Sequence, residues 1–171
     1  MQGIAAQTVT KTYVSAHRAH ELCNDLHSQI VQDNFAPDLI IGLSRGGLVP
    51  LGFIAGDGML NNKQVRIIGI SSYNINGEQS SLNLLFPVSD EELAQWRQYK
   101  TILIVDDIAD SGKSLNWVVS FLRDHLPEAD IRTAVLFYKQ SSMIMPDYYA
   151  AETADWIVFP WENQFPVCGV R

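Results

Sequence analysis

The chain has 171 residues, of which 47% are apolar and 18% charged, proportions that fit a globular domain and exclude an intrinsically disordered chain. Twelve Lys and Arg against nineteen Asp and Glu give a net charge of −7. That balance argues against nucleic acid or an anionic membrane as partner, because both demand a basic face, whereas phosphate-bearing small molecules stay open, since backbone N–H groups bind them without net positive charge.

Cys23 and Cys168 form no CxxC pair and match no zinc spacing, so both are read as thiols of a reducing compartment. No apolar run is long enough to span a bilayer, and the N-terminus lacks a charged-then-apolar leader. The expectation is a soluble, cytoplasmic protein folded as a single domain over residues 1–171.

In chain order, Ser15 is placed to cap a helix whose apolar face is Ala16, Ala19, Leu22, Cys23, Leu26 and Ile30. Residues 38–43 follow Pro37 as a short apolar run, the pattern of a strand buried on both faces. Ser44-Arg45-Gly46-Gly47 interrupts it. A helix is predicted over residues 48–59, with Pro50 in its first turn, where a missing N–H does little harm. Residues 65–73 read as strand, and 74–80 as a polar turn or mobile loop around Asn76-Gly77. Residues 81–88 read as a further strand. Ser89-Asp90-Glu91-Glu92 has the form of a capping box opening a helix to residue 99. Residues 101–105 are strand-like. Leu115, Val118, Val119 and Leu122 form the apolar face of a helix that Pro127 ends, and residues 131–138 form another strand. Residues 139–171 hold aromatics and prolines without clean periodicity and read as a small appended hood.

Strand–helix alternation on apolar strands predicts an α/β fold, a doubly wound, mostly parallel sheet flanked by helices with a small C-terminal hood. Ligands of such sheets bind outside the carboxyl ends of the strands. That rule singles out the junctions after Leu43, Val105 and Phe137.

The most informative stretch runs over residues 102–114, ILIVDDIADSGKS. A buried strand delivers Asp106 and Asp107, then a short loop containing Gly112, then a helix N-terminus. Paired carboxylates at a strand end can accept hydrogen bonds from sugar hydroxyls or hold a divalent cation. The loop offers successive N–H groups and two hydroxyls at the positive end of a helix dipole, which suits a phosphate. Together they describe a ribose 5-phosphate site. Two other motifs are set aside. Gly112-Lys113-Ser114 ends like a nucleoside-triphosphate loop, but position 107 is Asp where that motif needs Gly. Gly42-Leu43-Ser44-Arg45-Gly46 is a formal GxSxG, yet the only later histidine, His125, falls late in an amphipathic helix.

On these residues the sequence resembles the type I phosphoribosyltransferases, and within them the xanthine–guanine and hypoxanthine group of purine salvage. Residues 106–114 match that family's signature for phosphoribosyl pyrophosphate (PRPP). Ser44-Arg45-Gly46-Gly47 matches its pyrophosphate loop, Ser71-Ser72-Tyr73 the start of its flexible lid, and residues 156–162, WIVFPWE, its C-terminal hood. The resemblance implies that Asp106 and Asp107 bind the ribose hydroxyls, directly or through Mg2+. It implies that Ala109, Asp110, Ser111, Gly112, Lys113 and Ser114 hold the 5-phosphate, and that Asp110 accepts the N7 proton of the incoming base as the catalytic residue. Ser44, Arg45 and Gly46 would meet pyrophosphate. Lys139 would donate to the purine 6-oxygen, Trp156 would stack on the ring and the Ile157 backbone would read its edge. Asp107 and Glu162 are the implied metal partners. Lys113 adds charge to the phosphate site or is simply solvated.

The expected activity is therefore transfer of a phosphoribosyl group from PRPP to a 6-oxopurine, with Mg2+ as cofactor, in a homo-oligomer (dimer or tetramer). The alternative is a PRPP-binding regulatory protein without turnover. Two departures stand out. The lid, residues 73–86, carries Glu78 and no Lys or Arg, where related enzymes often have a basic residue. Residues 86–99 form an insertion that reshapes the lid or an oligomer contact.

Overall fold

Helix formation begins where the N-cap chemistry places it. Ser15, in extended conformation, accepts a hydrogen bond from the Arg18 N–H and opens α1 (Ala16–Gln32), whose buried face is Ala19, Leu22, Cys23, Leu26 and Ile30. A computed structural model of the chain describes residues 10–56, 58–73 and 79–162; residues 74–78 of the turn expected at 74–80, and Cys168, lie outside the described residues, while residues 79–80 open a strand. Before α1 comes β1 (Lys11–Tyr13). After it follow β2 (Leu39–Ser44), α2 (Leu48–Ala55), β3 (Gln64–Tyr73), β4 (Gln79–Leu84) and α3 (Asp90–Trp96). The chain continues through β5 (Thr101–Ala109), α4 (Lys113–His125), β6 (Asp130–Tyr138), β7 (Tyr148–Glu152) and β8 (Trp156–Val158).

Among the described residues the main sheet has the order β4-β3-β2-β5-β6-β7, parallel throughout except for β4, which pairs antiparallel with β3. Period-2 alternation divides its apolar side chains between two faces. Ile40, Leu103, Val105, Ala134 and Leu136 pack under α1 and α2. Leu39, Ile41, Ile68, Ile102, Ile104 and Val135 pack with Leu93 and Trp96 of α3 and Leu115, Val118, Val119 and Leu122 of α4. Helices on both faces explain why the central strands read as continuous apolar runs. The doubly wound α/β expectation holds.

Several boundaries differ from the sequence reading. The second helix ends at Ala55 before Gly56, and residues Gly58–Leu60 form a single 3-10 turn instead of its continuation. The strand expected at 81–88 starts earlier, at Gln79, and stops at Leu84. The helix opened by Ser89 has the expected capping box with Glu92 but ends at Trp96. Within the segment assigned to the hood, β7 joins the main sheet beside β6, while β8 pairs in parallel with β1 in a separate two-stranded sheet. Among the described residues no helix is long and apolar enough to cross a membrane.

Candidate active site

Unequal strand lengths create the site. Pairing between β2 and β5 stops at Gly42 and Val105, whereas β5 continues beside β6 as far as Ala109 and Tyr138. Asp106 and Asp107, expected at a strand's end, therefore lie inside a strand that outruns its β2 neighbour and continues to Ala109. Consecutive strand residues face opposite ways, and the two carboxylates border different hollows. Asp106 lines a small one, about 110 Å3, with Ile108, Asp110, Ser111, Gly112, Lys113 and Ser114. Asp107 lines a cleft of about 680 Å3 with Ser44, Arg45, Gly46, Ile70, Trp156, Trp161 and Glu162.

The Ser44–Gly47 loop occupies the space that the early end of β2 vacates. Its Ser44–Arg45 peptide is cis. Gly46 lies directly against Asp107, and a Cβ there would overlap the carboxylate. Arg45 is exposed at the rim. Asp107 also accepts a long hydrogen bond (3.4 Å) from the Trp161 indole N–H, and Trp161 stacks on the buried Phe159 ring, 4.6 Å between centroids.

Both carboxyls are hard to ionise in this setting. Burial, reinforced by the neighbouring charge of Asp107, holds the Asp106 carboxyl well above the usual carboxylate range. Burial pushes Asp107 up to about 6; the Trp161 donor works against that shift and the charge of Glu162 adds to it. Such a pair favours ligands that bring donors or positive charge.

Ahead of α4 the chain turns at Gly112, whose φ of +73° falls in the left-handed region that suits glycine. Gly112 has no side chain with which to cap this helix; the Lys113 N–H donates a long hydrogen bond (3.5 Å) to the Ser111 hydroxyl, and the N–H groups that follow it are of the kind a helix start offers to an anion. Asp110, 52% exposed, opens the loop between β5 and α4 with its Oδ1 2.9 Å from Nζ of Lys139, which is only 13% exposed. Lys139 also backs a third hollow of about 400 Å3 lined by Gln140, Glu152 and Thr153.

Of the residues singled out in the sequence, Ser44, Arg45, Gly46, Asp107, Trp156 and Glu162 converge on the large cleft. Asp106, Asp110, Ser111, Gly112, Lys113 and Ser114 converge on the small hollow. Ala109 is buried, and its carbonyl accepts from the Lys139 N–H. Ile157 lies in β8 opposite Thr12, its side chain in the core, while Trp156 beside it is 51% exposed. Sequence reasoning missed Ile70 and Ile108 as lining residues, and Trp161 as a partner of Asp107. Ile108 was within reach, two residues after Asp106 on the same strand face; the other two depend on tertiary contacts with no local signal. The hydrolase alternative gains no support. His125 binds the Phe121 carbonyl through Nδ1 (2.8 Å) and lines a separate hollow with Arg97 and Pro127.

The family model for the phosphoribosyl transferase domain matches residues 9–165. A xanthine-guanine phosphoribosyltransferase of Idiomarina loihiensis is 34% identical over 125 residues, covering 72% of this chain and 70% of the relative. Among solved structures, a purine phosphoribosyltransferase from Pyrococcus horikoshii superposes with a TM-score of 0.71 at 29% identity, over 93% of this chain and 98% of that one. The Helicobacter pylori xanthine-guanine-hypoxanthine phosphoribosyltransferase gives 0.73 at 25% identity, over 91% and 95%. The chain belongs to the phosphoribosyl transferase family, and these relatives are of the purine group to which its motifs point.

Proposed function

We propose that the chain transfers the 5-phosphoribosyl group of PRPP to a 6-oxopurine (hypoxanthine, guanine or xanthine), releasing the nucleoside 5-monophosphate and pyrophosphate, with Mg2+ as cofactor. The observation that carries this reading is the Asp110–Lys139 pair, a carboxylate acceptor and an ammonium donor 2.9 Å apart beside the phosphate loop. A 6-oxopurine offers the complement, an N7–H donor next to a carbonyl oxygen. Lysine has only donors. The amino group of adenine would leave it unpaired, at a cost of about 1–3 kcal/mol, or roughly ten- to a hundredfold in selectivity. Trp156 offers a ring face for stacking, worth roughly 1–3 kcal/mol by analogy with nucleic-acid sites. The Ile157 backbone follows along the ring edge.

Bond formation from the base to the anomeric carbon breaks the bond to pyrophosphate. Positive charge develops on the ribose ring and negative charge on the leaving group. Asp106 and Asp107 accept the ribose hydroxyls and place negative charge near the ring, while Arg45, with Ser44 and the Gly46 N–H, meets the leaving group. Asp110 takes the N7 proton. The N–H groups of Asp110 to Ser114, with the Ser111 and Ser114 hydroxyls, hold the 5-phosphate beyond the strand end at Ala109.

Asp107 and Glu162 suit Mg2+. They are hard oxygen donors, and the Glu162 charge makes Asp107 harder to ionise alone. Among the described residues no cluster of three metal-ligating side chains forms, which leaves room for substrate oxygens and water, as Mg2+ prefers. When bound, Mg2+ supplies charge neutralisation on pyrophosphate.

A homo-oligomer, dimer or tetramer, belongs to the same proposal. Exposed Leu48 and Phe53 on α2, with Ile67, Leu85 and Phe86, support it. A cytoplasmic setting belongs to it as well, in keeping with Cys23, a buried free thiol. Chromatography of a reaction containing PRPP, Mg2+ and hypoxanthine, guanine or xanthine tests the activity. Nucleotide and pyrophosphate are expected in equal amounts; pyrophosphate without nucleotide, or neither product from all three bases, contradicts it.

A further inference from the structure

A loop that turns its N–H groups toward an anion must turn carbonyls the other way, and those carbonyls need donors of their own. The turn between β6 and β7, residues 139–145, supplies them. The Lys139 N–H donates to the Ala109 carbonyl (3.1 Å) and the Met143 N–H to the Ser111 carbonyl (3.1 Å). With the Ser111 carbonyl tied back, the peptide that follows it is held with its N–H on the opposite side. Gly112 fits against the same turn without a gap. A Cβ on it would overlap Oγ of Ser142 and would stand 3.0 Å from Cγ2 and 3.2 Å from N of Ile144.

The shape of the turn depends on Ser142. Its N–H donates to the Lys139 carbonyl (2.8 Å), and its hydroxyl donates to the Ile144 carbonyl (2.9 Å). Ser142 lines neither the small hollow nor the large cleft. We infer that residues 139–145 form the back wall of the phosphate loop and that Ser142 is its positioning residue, selecting for the 5-phosphate end of PRPP without touching it. The inference rests on the reading of Asp110 to Ser114 as the 5-phosphate site. It also joins the two halves of substrate recognition, because the turn that braces the phosphate loop starts at Lys139.

Titration calorimetry on the full chain, with PRPP and separately with pyrophosphate, both in Mg2+, tests this. Removing the hydroxyl in Ser142→Ala is expected to weaken PRPP binding roughly three- to tenfold, the range for one lost hydrogen bond, and to leave pyrophosphate affinity and kcat at saturating PRPP within about twofold. Ser142→Thr, which keeps the hydroxyl, is expected to restore PRPP affinity. Equal PRPP affinity of Ser142→Ala and wild type overturns the inference while leaving the phosphate site standing. A parallel loss of pyrophosphate binding overturns it too, by exposing a general structural role, as does a threonine variant as weak as alanine. Failure of the wild type to bind PRPP overturns the phosphate-site reading itself, and this inference with it.

Discussion

Asp107 combines a place in the large cleft with an unfavourable charge. Its carboxyl, pushed up to about 6 mainly by burial, binds a proton more tightly in the folded chain than in the unfolded one. Its contribution to stability is therefore greatest at low pH and is lost as pH rises from the ordinary aspartate range through about 6. Asp107→Asn should stabilise the ligand-free protein near neutral pH by about 1–3 kcal/mol, with the gain shrinking toward acid, and should abolish turnover. Denaturant titrations at a neutral and an acidic pH read this directly; a variant less stable than wild type at neutral pH contradicts it. In the proposed mechanism the two members of the Asp110–Lys139 pair have different tasks. Asp110→Asn keeps the shape and removes the proton acceptor, so kcat should fall about 10²–10⁴-fold while PRPP affinity holds. Lys139→Ala should cut the preference for 6-oxopurines over adenine by roughly ten- to a hundredfold. Ratios of kcat/KM across bases decide that prediction, and unaltered ratios remove Lys139 from base selection.

At the scale of elements, the site depends on the mismatch between β2 and β5. The Ser44–Gly47 loop packs against β5 where β2 has ended, and Gly46 is required there because Asp107 fills the space of a Cβ. Gly46→Ala should displace either the loop or the carboxylate. Misplacement by about an ångström costs on the order of a hundredfold in kcat/KM, and a variant within tenfold of wild type would falsify the contact's importance. The same elements show how far sequence reading reaches. α1, with Ser15 and its apolar stripe, and the Ser89–Glu92 capping box were legible because their signals are local. Lengths were less so. Asp106 and Asp107 look like a strand's end, yet backbone pairing with β6 carries β5 on to Ala109, and pairing is a tertiary event. β7 was hidden because Tyr148–Glu152 is short and mixed, and β8 because its partner β1 lies at the other end of the chain.

For the whole molecule, a net charge of −7 argues against a polyanion as partner but is compatible with the proposed site, which would meet its phosphates with N–H groups and Arg45. Most of the geometry of residues 106–114 was legible because strand, turn and helix start follow one another in one stretch. The assembly of the cleft was not. Trp161 meets Asp107 across 54 positions of sequence, and no periodicity announces that contact. Residue pairs distant in sequence therefore determine which hollow each readable motif faces. The most direct test of the account is a spectrophotometric turnover assay with PRPP and Mg2+, offering hypoxanthine, guanine, xanthine and adenine separately. Turnover of at least one 6-oxopurine with adenine slower by roughly tenfold or more is the predicted result. Adenine turned over as fast as the best 6-oxopurine, or no turnover of any base by protein that binds PRPP, would contradict the account.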